Sequence, residues 1–275
     1  MSLRDILVVL DPTPQADARL SLALSLARRF GARLAALRCA AGEARVPLSD
    51  RPEAVAIMAQ LLDRLQRELA AQTAGLEKGF REGLAAFGVE GEWILAAGDA
   101  LKEVPPRARG ADLVILGEPD PADASPDRLA VILRVVMDSG RPVLVHPWRG
   151  RFADVGQRVL VAWDGVRDAA RAVHDALPIL AAAQRVVVFT VNPPSDVAAG
   201  RDALIAHLAR HGIRAQWRQG SDARGRVAML LTRVLREESA DLLVMGAAGE
   251  GGEGRLGEVA RAMLTRMRLP VLLAA

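Results

Sequence analysis

The sequence predicts an α/β protein of two tandem domains, each a five-stranded parallel sheet flanked by helices. Three observations predict it. The chain has 275 residues, enough for two domains of ordinary size. Short apolar runs alternate with longer segments of helical periodicity, the pattern of βαβ units and a parallel sheet. The chain also repeats itself. Asp5-Ile-Leu-Val-Val-Leu-Asp11 is matched by Arg158-Val-Leu-Val-Ala-Trp-Asp164, 153 residues later. Ala111-Asp-Leu-Val-Ile-Leu-Gly117 is matched by Ala240-Asp-Leu-Leu-Val-Met-Gly246, 129 later, and Pro142-Val-Leu-Val145 by Pro270-Val-Leu-Leu273, 128 later. Three paired signals in one order describe a duplicated domain. The fall in offset places about 24 extra residues between the second and fourth strands of the first copy.

The elements follow in order. Residues 5–10 form an apolar run suited to a strand buried on both faces. Thr13 is expected to cap a helix with Pro14 at its first position; Leu20, Leu24 and Ala27 share a face, and Gly31 ends it. Residues 33–38 are the second strand. A long helix over about 53–87 holds the insertion, and 92–96 is the third strand. Asp99 starts a short helix expected to break at Pro105-Pro106. Strands at 113–116 and 143–145 complete the first set. The second copy places strands at 159–163, 185–191, 214–217, 242–245 and 271–273. Its helices lie near 167–183, 203–211, 224–238 and 256–267. The domains are expected at 1–148 and 157–275, joined by a polar, glycine-containing linker over about 147–156.

Composition excludes several functions. The 36 basic and 33 acidic side chains leave a net charge of only +3, although the sequence pI is about 9.9 because arginine supplies most of the base. The signs are interspersed and aromatics are 3%, so neither the basic stripe nor the stacking platforms of a nucleic-acid binder are present. No run of about 18 apolar residues could span a membrane. The first ten residues do not make a signal peptide, and the single cysteine, Cys39, suits a reducing compartment, so a cytoplasmic location is expected.

Open parallel sheets bind ligands at the carboxyl ends of their strands, near the switch in strand order. That directs attention to Asp11-Pro-Thr-Pro14 and Gly117-Glu-Pro-Asp120 in the first copy. The second copy offers Asp164-Gly-Val-Arg167 and Gly246-Ala-Ala-Gly249, followed by the glycine-rich 250–257. Glycines ahead of a helix let backbone N–H groups approach phosphate. Residues 249–254 fit a dinucleotide fingerprint literally, but no acidic ribose ligand follows at the required distance, so that reading is rejected. Glu250, Glu253 and Glu258 also repel phosphate.

At these residues the chain resembles the universal stress protein family in its tandem form, over essentially its whole length. The most specific stretch is Val159-Leu-Val-Ala-Trp-Asp164-Gly165 with Asp168-Ala-Ala-Arg-Ala-Val-His174-Asp-Ala-Leu-Pro178, closed by 240–246 and 269–273. The resemblance implies strand order 3-2-1-4-5 and a nucleotide-binding-like fold. It also implies pairing of the two domains, or of subunits, through their last strands, with a homodimer as a candidate. Some members bind ATP through Gly-x2-Gly-x9-Gly-Ser/Thr. Carried over, Asp164 and Val191 would face the adenosine, and Gly246, Gly249, Gly257, Glu258 and Val259 the phosphates, with ATP and magnesium as the candidate cofactor of the second domain.

This sequence departs from that pattern. Seven residues, not nine, separate Gly249 from Gly257, and Glu258 stands where Ser or Thr is expected. In the first domain no second glycine follows Gly117, and Pro12 and Pro14 remove backbone donors, so that domain is expected not to bind ATP. The leading expectation is a non-catalytic stress-response protein with a degenerate nucleotide site. The alternatives are adenine-nucleotide binding by the second domain, with slow hydrolysis and a metal at Glu250 or Glu253, and another small ligand in the first domain under the inserted helix.

The remaining polar residues have plain readings. His207 and His211 share a helix face but lack further ligands, so no metal site is expected. His174 is expected partly buried, His146 structural, and Cys39 a small core residue rather than a nucleophile. Asp164 serves either a ligand or the cap of the next helix. Leu61, Leu62, Leu65 and Leu69 stripe the inserted helix, for packing within the domain, an interaction face or a lid. No catalytic constellation is visible.

Overall fold

Successive residues of the apolar runs point to opposite sides of one continuous sheet. In β1, Asp5–Val9, Ile6 and Val8 enter one hydrophobic core and Leu7 enters the other. The structure is a computed structural model that describes residues 2–40, 52–120, 127–193, 195, 197, 200–221, 226–248, 256–266 and 268–275. The first half contains α1 (Ala16–Phe30), β2 (Arg33–Ala40), α2 (Pro52–Phe87), β3 (Gly91–Ala97), α3 (Ala100–Ala108), β4 (Leu113–Gly117), α4 (Asp127–Ser139) and β5 (Val143–His146). The second half contains β6 (Arg158–Ala162), α5 (Arg167–Ala181), β7 (Arg185–Val191), α6 (Arg201–Arg210) and β8 (Ala215–Gly220). It ends with α7 (Val227–Glu237), β9 (Leu242–Gly246), α8 (Glu258–Arg266) and β10 (Val271–Ala274).

The ten strands run β3-β2-β1-β4-β5-β10-β9-β6-β7-β8. Each half therefore has the order 3-2-1-4-5, parallel throughout, as the family resemblance implies. The halves join where β5 meets β10 antiparallel, with Leu144 opposite Leu272, Val143 opposite Leu273 and Val145 opposite Val271. Leu144 and Leu272 are equivalent by the repeat, so a pseudo-two-fold axis passes between them. Helices α1, α2, α5 and α6 cover one face and α3, α4, α7 and α8 the other. Central strands β1, β4, β5, β9 and β10 are apolar and buried, whereas β3 and β8 end the sheet and keep polar residues such as Glu92 and Arg218.

The repeated Ala-Asp-Leu motif has a structural purpose in both halves. The Asp112 carboxylate accepts from the backbone N–H groups of Arg4 and Asp5, at 2.7 and 3.1 Å. The Asp241 carboxylate accepts from Gly156, Gln157 and Arg158, the first two at 2.8 and 2.9 Å. Each aspartate ties the start of the fourth strand of its half to the start of the first. These charge-assisted bonds pair donors that the sheet leaves open.

Several expectations need correction. Thr13 does not cap α1: the helix begins at Ala16 with Gln15 at the cap position, and the Thr13 hydroxyl donates instead to Asp11 Oδ1 at 2.6 Å. Gly31 does end α1, with a left-handed φ of 62° that a side chain would strain. Pro105 and Pro106 lie inside α3 rather than breaking it. They deprive the carbonyls of Leu101 and Lys102 of donors near the helix start, where Asp99 caps the chain by accepting from Leu101 N. Burial of Val104, Pro105 and Ala108 offsets that loss. Helix α4 has no counterpart in the sequence reading, although Ile132, Val135 and Val136 show its spacing and are buried.

The insertion lies between β2 and β3, where α2 has 36 residues against 10 in α6 of the second half. At 1.5 Å per residue, α2 is roughly 54 Å long. Its last turns pack on the body. Phe80 is buried against Trp93 with ring centroids 5.9 Å apart, and Gly83 approaches Leu24 so closely that a Cβ there would lie 2.5 Å from it.

Candidate functional site

In the second half, the ends of β6, β7 and β9 diverge from the start of α8 and leave a cavity of about 610 Å³. Asp164, Val191, Gly246, Gly257, Glu258 and Val259 all line it. The fold thus gathers six of the seven residues named from the sequence; the seventh, Gly249, lies outside the described residues, as do Glu250 and Glu253. Sequence reasoning missed Thr190 and Asn192, which line the same cavity where β7 ends. Among the described residues, the buried Thr190 hydroxyl has no hydrogen-bond partner in the protein. A polar side chain in an otherwise apolar strand, Arg185–Val191, was the available signal.

Each lining residue has a local cause. Asp164 is exposed at the strand end, and its Oδ1 accepts from Val166 N at 3.2 Å as the chain turns into α5. Gly246 is small by necessity: a Cβ would meet Ala169 N at 2.8 Å, so any larger residue would push α5 off the sheet. The Asp168 carboxylate accepts from Ala248 N at 3.1 Å and holds the exit of β9. Gly257 N donates to Ala247 O at 2.9 Å, joining the two ends of the glycine-rich loop at its base. Gly257 O accepts from Arg261 N, which makes Gly257 the residue preceding α8. Glu258 is therefore the first residue of that helix and an acid in its first turn. Its carboxylate supplies the negative charge that a helix N-terminus attracts, at the end where a bound anion would otherwise lie.

The equivalent place in the first half is filled by protein. Arg19 comes from α1, is 1% exposed, and donates from Nη2 to Asp11 Oδ1. Its Nη1 presses on the end of β4: a Cβ on Gly117 would lie 1.7 Å away. His146, fully buried at the end of β5, adds a second bulky side chain. By the repeat offsets Arg19 corresponds to Ala172 and His146 to Ala274, so the second half keeps small groups where the first keeps large ones. Neither nitrogen of His146 has a well-formed hydrogen bond. Burial, reinforced by the Arg19 cation, lowers its pKa to about 4, so the ring is neutral at pH 7. The Glu118 carboxylate accepts from Trp148 N at 2.6 Å, and burial raises its pKa.

The other candidates fall outside the cavity. Cys39 is buried in β2, and burial, with Glu103 nearby, raises its pKa to about 11, which keeps it a thiol. His174 is more open than expected: its side chain is 47% exposed, 3.8 Å from Asp175, because it stands on the solvent side of α5. The rings of His207 and His211 lie 4.8 Å apart. The described residues contain no group of three metal-ligating side chains.

Known proteins add to this picture. The universal stress protein family model matches residues 220–274. A universal stress protein from Archaeoglobus fulgidus is 19% identical, over 99% of this chain and 96% of that one, with a TM-score of 0.70. A Pseudomonas aeruginosa protein provisionally assigned to the universal stress proteins is 21% identical, over 99% and 93%, with a TM-score of 0.56. A universal stress family protein from Burkholderia pseudomallei is 30% identical over 43% of this chain and 96% of that one, with a TM-score of 0.33. No curated protein matches the chain by sequence. With the 3-2-1-4-5 order present twice in one sheet, the chain has the fold of a universal stress protein in a form that carries two such units in tandem, and residues 220–274 of the second unit match that family's model.

Proposed function

We propose that the chain is a non-catalytic, ligand-binding stress-response protein of the reducing cytoplasm, with units at 1–148 and 157–275. Its second unit takes the nucleoside end of an adenine nucleotide, and its first takes none. The observation that carries this is the cavity at the switch point of the second half, bordered by Asp164, Val191 and Glu258. Its size falls within the usual range for small-molecule sites, about 300–1,000 Å³.

A nucleoside fits the lining. Val191, Leu231 and Phe189 offer an apolar wall for a base; Asp164 offers an acceptor for ribose hydroxyls, and the unpartnered Thr190 hydroxyl a further polar contact. A triphosphate fits less well. Among the described lining residues Asp164 and Glu258 are acids, and none is Lys or Arg. Phosphates there lack counter-charge, so ATP would need magnesium to bind.

The test is calorimetry with adenosine, and with ATP plus magnesium, on protein checked for carried nucleotide. Adenosine should bind about once per chain, and Asp164→Ala should abolish it. Glu258→Ser should strengthen ATP binding about tenfold or more by removing like-charge repulsion. Failure of both ligands on wild type and on Glu258→Ser would end the nucleotide reading and leave the paired units as a scaffold.

A further inference from the structure

We propose that the projecting part of α2 is a self-association surface on which a second copy of this chain docks antiparallel. Unlike the last turns of α2, which pack on α1 and β3, the preceding turns carry large apolar side chains in the open. Among the described residues Ile57 is 68% exposed, Leu61 49%, Leu65 44% and Leu69 44%. These are four of the six exposed large hydrophobic residues found. Apolar residues in such numbers on one helix face mark an interaction site rather than chance exposure.

The spacing identifies the kind of partner. Ile57, Leu61, Leu65 and Leu69 recur at four-residue steps, with the half-buried Met58 and Leu62 beside them, a ridge and seam by which one helix packs along another. Further along, the same side of α2 carries Phe80 and Gly83, which pack on the body, so the open seam continues an interface already built. A long helix gains most of its stability from packing of such a face, and these turns lack that cover among the described residues.

Charge selects a second copy, with its direction. On one flank of the seam stand Arg64 and Glu68, which pair at 2.9 Å within the helix. Antiparallel helices bring like flanks together. A two-fold axis near Gln66 then sets Arg64 against the partner's Glu68, and Glu68 against the partner's Arg64. The same axis aligns Leu62 with the partner's Leu69 to within one residue. Asp63 and Arg67, which also pair with each other, lie on the opposite side of α2 and stay in solvent. Such a patch is complementary to itself, which a closed dimer requires. This docking is independent of the nucleotide reading.

Sedimentation of the full chain from about 1 to about 100 µM tests it, since dimers follow mass action. Wild type should dimerise. Leu61→Glu with Leu65→Glu should weaken the dimer by about a hundredfold or more, with an unchanged circular dichroism spectrum because both sites are exposed. Arg64→Glu should weaken it about tenfold, and the swap Arg64→Glu with Glu68→Arg should restore it. Leu65→Cys, on the stripe beside the axis, should form an interchain disulfide on mild oxidation, whereas Asp63→Cys should not; Cys39 is buried and will not interfere. A wild type that stays monomeric, the result expected if another segment of the same chain covers the stripe, overturns the proposal. So does a dimer indifferent to the leucine pair.

Discussion

Replacing Arg19 by alanine or by methionine tests whether this arginine serves as filler or as an ion-pair partner. It is among the largest fully buried side chains, yet its partner Asp11 keeps 44% of its side chain exposed. Removing one member of a fully buried pair costs about 3–5 kcal/mol, because the other charge is left stranded. Asp11 can rehydrate, which removes much of that penalty. Arg19 Nε is itself buried without a partner, a cost of about 1–3 kcal/mol that any uncharged replacement relieves. Arg19→Met keeps most of the volume and should change stability by less than about 1 kcal/mol. Arg19→Ala leaves a cavity under Gly117 and should cost about 2–3 kcal/mol. Urea unfolding at pH 7 measures both. The His146 ring should titrate higher in each variant, as seen by NMR, because the neighbouring cation is gone. Were methionine as damaging as alanine, with no movement of the His146 titration, the ion pair and not the filling would hold this site together, and the account of the closed first half would fail.

Other outcomes follow from the same contacts. His146 has a folded pKa of about 4 against 6.5 unfolded, so the unfolded state binds the proton first. The stability this neutral ring confers is complete above pH 6.5 and falls by about 3 kcal/mol as pH drops toward 4. His146→Leu should flatten that part of the urea-midpoint profile between pH 6.5 and 4.5; an unchanged slope would contradict the burial argument. Asp241→Ala removes the acceptor of three backbone N–H groups and should cost about 2–4 kcal/mol, against about 1–2 for the more exposed Asp112→Ala with two. Equal losses in thermal unfolding would count against that difference. Ser239 ends α7 at a φ of 48°, with its N–H donating to Arg236 O and that of Ala240 to Leu235 O. Ser239→Gly relieves the left-handed strain and should raise stability by about 0.5–1 kcal/mol. A lowered melting temperature would refute it.

The repeat, the strand positions and the place of the insertion were legible in the amino-acid order. They are written in local periodicity and in three short motifs that recur in the same sequence, and burial on both faces demands apolar runs wherever they occur. The candidate site was legible in outline, because strand ends in a parallel sheet converge on one edge whatever the side chains are. Tertiary contacts decided the rest. Pro105 and Pro106 stay helical because Val104 and Ala108 gain a core that no local rule foresees. Thr13 gives up capping because Asp11 is a nearer partner for its hydroxyl. Arg19 closes the first site from eight residues along the chain, a role that shows only when α1 folds over the end of β4 and sets a guanidinium against Gly117. Periodicity reports which face of an element is apolar. What meets that face, and whether a gap there is left open or filled, depends on side chains distant in sequence and near in space.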